Sequence, residues 1–453
     1  MTSAPAPAPA QDAPPRGRLR GVLGTSAGIA VAMGVMNVAT YGFQMVSARL
    51  LGPTEYGAVA SLMALLMVVA VAQLGLQATA ARRVSTDPAA VHLIERDVLG
   101  VTYRAAWAVG ALMLVLAPVV HRLLHLDSIW PALLVAAAAV PLTISGGQAG
   151  VLQGERRWLA LSMLYLGIGV PRLVLGVLAL LVVPSETSAM VGVALAMLAP
   201  AIVGWVALRP RAGSAARGTA PSADGAAPVR PGRRPVAREA LAASLALLAF
   251  FLLSNVDIVL ARNLLPRHQA GLYAAGLILT KAVLFLPQFV VVVAFPSMST
   301  AHERRRALLR SLAAVLGIGA VSTLAAWLLA PVALVFVGGA EYADVQDELW
   351  LFAVLGTLLS MLQLLVYSVL ARRGRRSQLL VWGGVLALVG LGATTASLPG
   401  LVAVVIAVDA LLLLVLLGLS LHRLGADEPA DPTQGQTQGQ PHGQTQGQGT
   451  ETD

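Results

Sequence analysis

Residues 48–57 read ARLLGPTEYG, and residues 261–271 read ARNLLPRHQAG. Each stretch opens with Ala-Arg, sets a proline four positions after that arginine (Pro53, Pro266) and closes on a glycine (Gly57, Gly271). Each is a turn-forming segment between two long apolar runs. Writing one short connection twice, more than two hundred residues apart, implies two copies of a larger unit.

The material around these turns is that of a membrane protein. Of 453 residues, 57% are hydrophobic and 12% charged, with a mean hydropathy of +0.77. A soluble domain carries about 25% charged residues. Uncharged apolar runs of about twenty residues, each enough to cross ~30 Å of hydrocarbon as a helix, recur throughout. The short alternating segments of a transmembrane β-barrel are missing. With no cysteine, disulfides, zinc–thiolate sites and cysteine nucleophiles are excluded. The net charge of +9 is explained by its placement, and nucleic acid is not an expected partner.

The hydropathy pattern predicts an all-α polytopic membrane protein of about twelve transmembrane helices. The first six lie near 22–47, 57–79, 98–119, 131–152, 159–183 and 188–208. The second six lie near 239–261, 271–296, 308–336, 349–370, 378–397 and 400–422. If the N-terminus is cytoplasmic, 24 Lys and Arg residues fall inside and only four (Arg49, Arg122, Arg262, Arg267) fall outside. That bias predicts cytoplasmic N- and C-termini in a plasma-membrane protein. Residues 1–20 are Ala/Pro-rich and expected to be disordered, as is the Gln/Gly-rich tail 424–453. Residues 209–238 form an arginine-rich cytoplasmic linker between an N-lobe, 21–208, and a C-lobe, 239–423.

The repeated turn falls between the first and second spans of each lobe. Six is even, so both lobes enter the membrane in one orientation, as parallel repeats. Two packed six-helix lobes are the architecture of an alternating-access transporter.

At this point a family resemblance appears. SARLLGPTEYGAVASLMALLMVVAVAQLGLQATAARR (47–83), VLQGERRWLALS (151–162), NVDIVLARNLLPRHQAGLYAAG (255–276), AFPSMS (294–299) and FVGGAEYADVQDELWLFAV (336–354) follow in order. Together they resemble bacterial polysaccharide-export flippases, the oligosaccharide flippases of the superfamily that also holds multidrug extruders and lipid II flippases. The resemblance implies a two-lobed bundle carrying a polyprenyl-pyrophosphate-linked oligosaccharide from inner to outer leaflet for cell-surface polysaccharide synthesis. Membrane lipids, and the enzymes of polysaccharide synthesis, are the implied partners. Pyrophosphate and sugar cannot cross hydrocarbon unaided, because each unsatisfied polar group costs several kcal/mol.

Three cations lie within spans: Arg172 after Pro171 in span five, Lys281 in span eight, and Arg104 near the cytoplasmic end of span three. Such residues normally face the bundle interior or water. A guanidinium fork matches phosphate oxygens, which makes Arg172 the leading pyrophosphate candidate; Pro171 is expected to kink its helix. For Arg104 the alternative is snorkelling to headgroups. Two acids lie in spans, Asp257 and Asp409. Either Asp257 neutralises Lys281, or one of the acids binds H⁺ or Na⁺ and couples transport to a gradient. Amides form a polar thread: Asn37, Gln44, Gln73, Gln77, Gln148, Asn255, Gln288 and Gln363. Gln73 and Gln77 share one helix face, placed either to bind sugar hydroxyls or to join helices. His121 and His125 lack the further ligands a metal needs. The matched Arg49 and Arg262 are expected to share a task at the ends of spans one and seven, a helix C-cap or a gate.

The first span carries no charge, unlike that of lipid II flippases. Every acid in 1–208 falls in a terminus or loop, which separates the chain from extruders with a first-lobe coupling acid. The alternatives are an H⁺- or Na⁺-coupled multidrug antiporter and a non-transporting scaffold of a synthesis complex. No catalytic constellation, cofactor motif or ATP-binding loop is present, so neither an enzyme nor a cofactor is expected.

Overall fold

The computed structural model describes residues 23–87, 91–209, 233–294, 301–370 and 375–426. Of the stretches expected as disordered ends, 1–20 and 424–453, and as linker, 209–238, residues 1–20, 427–453 and 210–232 lie outside the described residues, whereas 424–426 and 233–238 are helical; most of the AFPSMS stretch and the side chain of Gln288 also lie outside. The described chain is helical. In order come α1 (Ser26–Thr86), α2 (Val91–Leu123), α3 (Trp130–Gly154), α4 (Trp158–Val182), α5 (Glu186–Ala196) and α6 (Leu198–Leu208). Then follow α7 (Arg233–Leu253), α8 (Val256–Leu264), α9 (Arg267–Ala294), α10 (Ala301–Leu328) and α11 (Ala330–Val337). A 3₁₀ segment, Ala340–Glu348, leads to α12 (Leu349–Leu370), α13 (Arg375–Gly392) and α14 (Leu398–Ala426). Among the described residues nine helices are long and apolar enough to cross a membrane. The protein is an all-α polytopic membrane protein.

The opening turn explains why α1 is so long. Helical geometry is interrupted only at Gly52, with φ 69° and ψ 173°. A side chain is strained at that positive φ, and Pro53 restarts the helix because a first-turn residue needs no N–H partner. The Tyr56 hydroxyl donates to Gln44 Oε1 at 3.0 Å. Twelve residues of straight helix span about 18 Å, so the two arms of α1 fold back on each other at Gly52. The turn read from sequence is a one-residue corner.

Two other spans are broken where the sequence shows only continuous apolar runs. α7 gives way to α8 at Ser254–Asn255, where Asn255 has φ −143°. α10 gives way to α11 at Leu329, ahead of Pro331. By contrast α5 and α6 meet at Met197 in helical geometry, its N–H bonded to Val193 O at 3.0 Å, and α4 runs through Pro171 without interruption.

Packing divides the core. One cluster joins Phe43 and Leu62 of α1 to Met190 and Met197. A larger one gathers Tyr273, Tyr342 and Phe352 from the second half. A third joins Val236 and Ala240 of α7 to Leu76, Ala80 and Val84 of α1 and to Ile94 and Val98 of α2. The second half therefore begins by packing on the first. On α3, Gly146 and Gly150 bring its backbone against Gln73 and Gln77, a close approach that small residues permit.

Candidate functional site

The two repeated turns meet. A Cβ on Gly57 would lie 3.2 Å from Gly271 Cα, and a Cβ on Gly271 would run into the Pro53 carbonyl. Around this contact each half reaches into the other. Arg262, almost fully buried, donates through Nε to Leu124 O at 2.9 Å, through Nη1 to Thr54 O at 3.2 Å and through Nη2 to His125 O at 3.4 Å. Leu124 and His125 immediately follow α2, so Arg262 caps a helix C-terminus of the opposite half, where cations are favourable. Arg49 stands beside Gly339, just past the end of α11, which is the corresponding position in the second repeat. The Tyr342 hydroxyl donates to Ala48 O at 2.8 Å. An exposed ion pair, Arg267 to Asp127 at 3.0 Å, closes the rim. The helix cap expected of the matched arginines is made by Arg262; Arg49 is exposed beside Gly339.

Midway along the helices the halves also touch, with Tyr41 donating to Lys281 O at 3.2 Å and stacking near Phe285. Lys281 is buried. Its Nζ donates to Ser254 O at 2.6 Å and Asn255 Oδ1 at 3.2 Å, which places the ammonium on the backbone freed by the α7/α8 break. Asp257 accepts from the Tyr273 hydroxyl at 2.9 Å through Oδ2, while its Oδ1 is buried without a partner. Both oxygens of Asp409, a fully buried residue, lack hydrogen-bond partners among the described residues. Asp257, Lys281 and Asp409 feel one another electrostatically, although no carboxylate comes within ion-pair distance of Lys281 among the described residues. The cluster holds one fixed cation and two carboxyl groups. The sequence linked Asp257 to Lys281; that Asp409 joins them depends on α14 folding back against α8 and α9.

Arg172 lies apart from this cluster. Its Nη2 points at Met197 Sδ, 3.6 Å away, and its Nε is buried without a hydrogen-bond partner. The guanidinium thus faces Met197, where α5 meets α6. The remaining candidates divide by environment. Gln77 Nε2 donates to Gln153 Oε1 at 3.0 Å and to the Tyr165 hydroxyl at 2.9 Å, tying α1 to α3 and α4. Gln73 is buried against Gly146. Arg104 is exposed on α2 and meets no carboxylate among the described residues. His121 is held by Ser128 O, and no metal-binding group is found among the described residues.

At the end opposite the interlock a cavity of about 770 Å³ opens between α1, α7 and the last helices. Its walls include Thr79, Arg82 and Arg83 at the end of α1, Arg238 and Glu239 in the first turns of α7, and Gln378 and Leu416. Glu239 pairs with Arg82 and, at 2.8 Å, with Arg83. Sequence reading saw these arginines only as inside-loop charge. Their convergence requires α7 to return across α1, and the small residues Ala242, Ala243, Ala246 and Ala249 on one side of α7 were the available signal.

Closure at one end and a cavity at the other define the class as a transporter fold. Residues 25–302 match the family model described as polysaccharide biosynthesis protein, and the chain belongs to that family. No curated protein matches it. Among solved structures it is similar to a multidrug resistance MATE family transporter of the MOP superfamily in an inward-facing conformation. That match has a TM-score of 0.67 and 15% identity, covering 90% of this chain and 98% of the other. The outward-facing conformation of such a transporter matches with a TM-score of 0.54 at the same identity and coverage. A MATE structure in the bent conformation gives 0.55 and 16%, again covering 90% and 98%.

Proposed function

We propose that this protein is an alternating-access flippase that moves a polyprenyl-pyrophosphate-linked oligosaccharide from the inner to the outer leaflet of the plasma membrane. In this reading twelve spans form two parallel lobes, 21–208 and 239–423, joined by the linker 209–238, with both termini cytoplasmic. The observation that carries it is the asymmetry of the inter-lobe seam: shut at the Arg262 end, open at the Arg82 end. The positive-inside bias puts the open end on the cytoplasmic side, where such a lipid is made. The higher TM-score to the inward-facing relative supports the same assignment. Transport then needs the caps of Arg262 and Tyr342 to break while the Arg82 end closes. Interfaces of this kind switch between discrete packings. Arg172, whose buried Nε has no hydrogen-bond partner among the described residues, is the residue to receive a phosphate oxygen during passage. Lys281, bonded to Ser254 O and Asn255 Oδ1, holds the α7/α8 break in shape.

A second reading is favoured by one observation. Asp409 keeps two unpartnered carboxylate oxygens in a fully buried place, next to Asp257 and a single lysine. One cation does not neutralise two carboxylates, so the cluster is suited to take up H⁺ or Na⁺. It fits an ion-coupled exporter, of lipid-linked sugar or of a drug.

The test is reconstitution in liposomes with a labelled polyprenyl-pyrophosphate oligosaccharide, comparing wild type, Arg172→Ala and Lys281→Ala. Protein-dependent loss of label from the inner leaflet, abolished by Arg172→Ala, supports the flippase. A wild type that moves no such lipid but exports a cationic dye down an imposed H⁺ or Na⁺ gradient replaces it with the antiporter.

A further inference from the structure

The cavity at the Arg82 end has a composition that neither lobe shows alone. Three guanidiniums converge there, two from the end of α1 and one from the start of α7, against a single carboxylate. Glu239 holds two of them, since its carboxylate bridges Arg82 and Arg83, with Arg83 Nε donating at 2.9 Å. Arg238 is exposed and pairs with no carboxylate among the described residues. Thr79 Oγ1, at 2% exposure, lines the same space and has no hydrogen-bond partner. Asp97 of α2, outside the lining, also acts on Arg83, so three guanidiniums face two carboxylates and the local charge stays positive, with a buried donor left open beside it.

Apart from the amide of Gln378, the rest of the wall is apolar. Ala242, Ala243, Ala246, Phe250, Val381 and Leu416 carry the cavity away from the charged mouth. A cationic mouth over an alanine-lined floor suits an amphiphile whose anionic group is joined directly to a hydrocarbon chain. Inorganic phosphate has no use for the floor, and a phospholipid monoanion leaves the arginines underused. A pyrophosphate ester offers about two negative charges and several oxygens, which guanidinium forks bind in pairs.

We infer that Arg82, Arg83 and Arg238 form a capture site for a prenyl pyrophosphate ester, and that Glu239 is its resident competitor. Between cargoes the Glu239 carboxylate occupies the place of one phosphate group and keeps Arg82 and Arg83 together. An arriving pyrophosphate takes both arginines and Arg238, and Glu239 is released. Because Glu239 sits on α7 and its partners on α1, this exchange of anions is felt directly by the seam between the halves. The site is distinct from the mid-membrane Arg172 and would be the first to meet cargo; the inference rests on the flippase reading for what the lipid carries, not for the anion site itself.

The test is binding to the purified full chain in detergent, with farnesyl pyrophosphate as probe and with farnesol, inorganic pyrophosphate and phosphatidylglycerol as comparison arms. Titration calorimetry should show farnesyl pyrophosphate binding best, with affinity falling as salt rises. Arg238→Gln should weaken it about tenfold and the double variant Arg82→Gln/Arg83→Gln should abolish it, while Glu239→Gln should tighten it several-fold, an opposite sign that damaged folding cannot produce. Equal binding of farnesol, or unchanged affinity in the arginine variants, overturns the site. Equal binding of phosphatidylglycerol overturns its pyrophosphate selectivity, and equal binding of inorganic pyrophosphate overturns the role of the apolar floor. If the probe binds as expected but no lipid-linked sugar is flipped, the capture site stands and the flippase reading falls. If sugar is flipped while the variants bind like wild type, the reverse holds.

Discussion

Gly271→Ala is the sharpest perturbation of the closed end. The new Cβ would sit 2.8 Å from Pro53 Cα and overlap the Pro53 carbonyl, all of it backbone that no rotamer change can move. Ordinary carbon contacts are about 3.5–4.0 Å, so α1 and α9 must part by about 1 Å at this point. Overpacking of this size typically costs about 1–3 kcal/mol. That cost falls only on the interlocked state, because the repeated turns separate when this end opens. Since about 1.4 kcal/mol is tenfold in an equilibrium, the balance should move about 5- to 150-fold toward the state open at the Arg262 end. The chain has no cysteine, so spin labels can be placed singly. Labels at Ile129 and Gln269, both exposed at this end, report the separation of the halves by pulsed electron resonance. Gly317→Ala, where an added Cβ meets nothing within 4 Å, controls for replacing a glycine as such. A longer-distance population in Gly271→Ala and none in Gly317→Ala is expected. If the Gly271→Ala distribution superimposes on wild type while the variant remains folded, the reasoning that this contact locks the end is wrong.

Arg262→Gln removes a guanidinium from three carbonyls and should lower stability by about 2–4 kcal/mol, with charged hydrogen bonds worth about 1.5–3 kcal/mol each; thermal unfolding in detergent reads it. Asp409→Asn should leave the protein at least as stable, since both carboxylate oxygens are unpartnered, and should remove any dependence of transport on an imposed H⁺ or Na⁺ gradient; retained dependence sends attention to Asp257 alone. Gln77→Ala loses the links to Gln153 and Tyr165 and should cost about 0.6–1.5 kcal/mol with transport preserved, whereas a specific loss of transport would return Gln77 to the headgroup site. Arg104→Gln should change stability by no more than about 0.5 kcal/mol and leave the flip rate alone, because Arg104 is exposed without an acidic partner.

Much of the fold is written locally. Hydropathy shows the spans and the twice-written turn shows the repeat, because long apolar runs and Gly-Pro corners act through the chain nearest them. The matched arginines were visible for the same reason, though not their destination: Arg262 caps the end of α2 at Leu124, 138 residues earlier in the chain. The break at Ser254–Asn255 was not legible, since Ser and Asn are tolerated inside apolar helices and only Lys281, one span away, marks the exposed carbonyl of Ser254. Arg172 drew attention through Pro171, but α4 runs through that proline and the guanidinium faces Met197 of the next span. The Arg82–Arg83–Glu239 group was hidden more deeply. Each member looks like ordinary cytoplasmic charge, and their meeting across 156 residues is decided by how α7 lies on α1.

The caps of Arg262 and Tyr342 also impose an order in time. A ribosome delivers Leu124 and His125 well before Arg262, and Ala48 long before Tyr342, whose hydroxyl acts across 294 residues. Both latches are donated by the second half to carbonyls of the first. A nascent first half therefore has no means of sealing its own rim, and a product that stops short of residue 262 stays unlatched. Closure at this end waits on the second half.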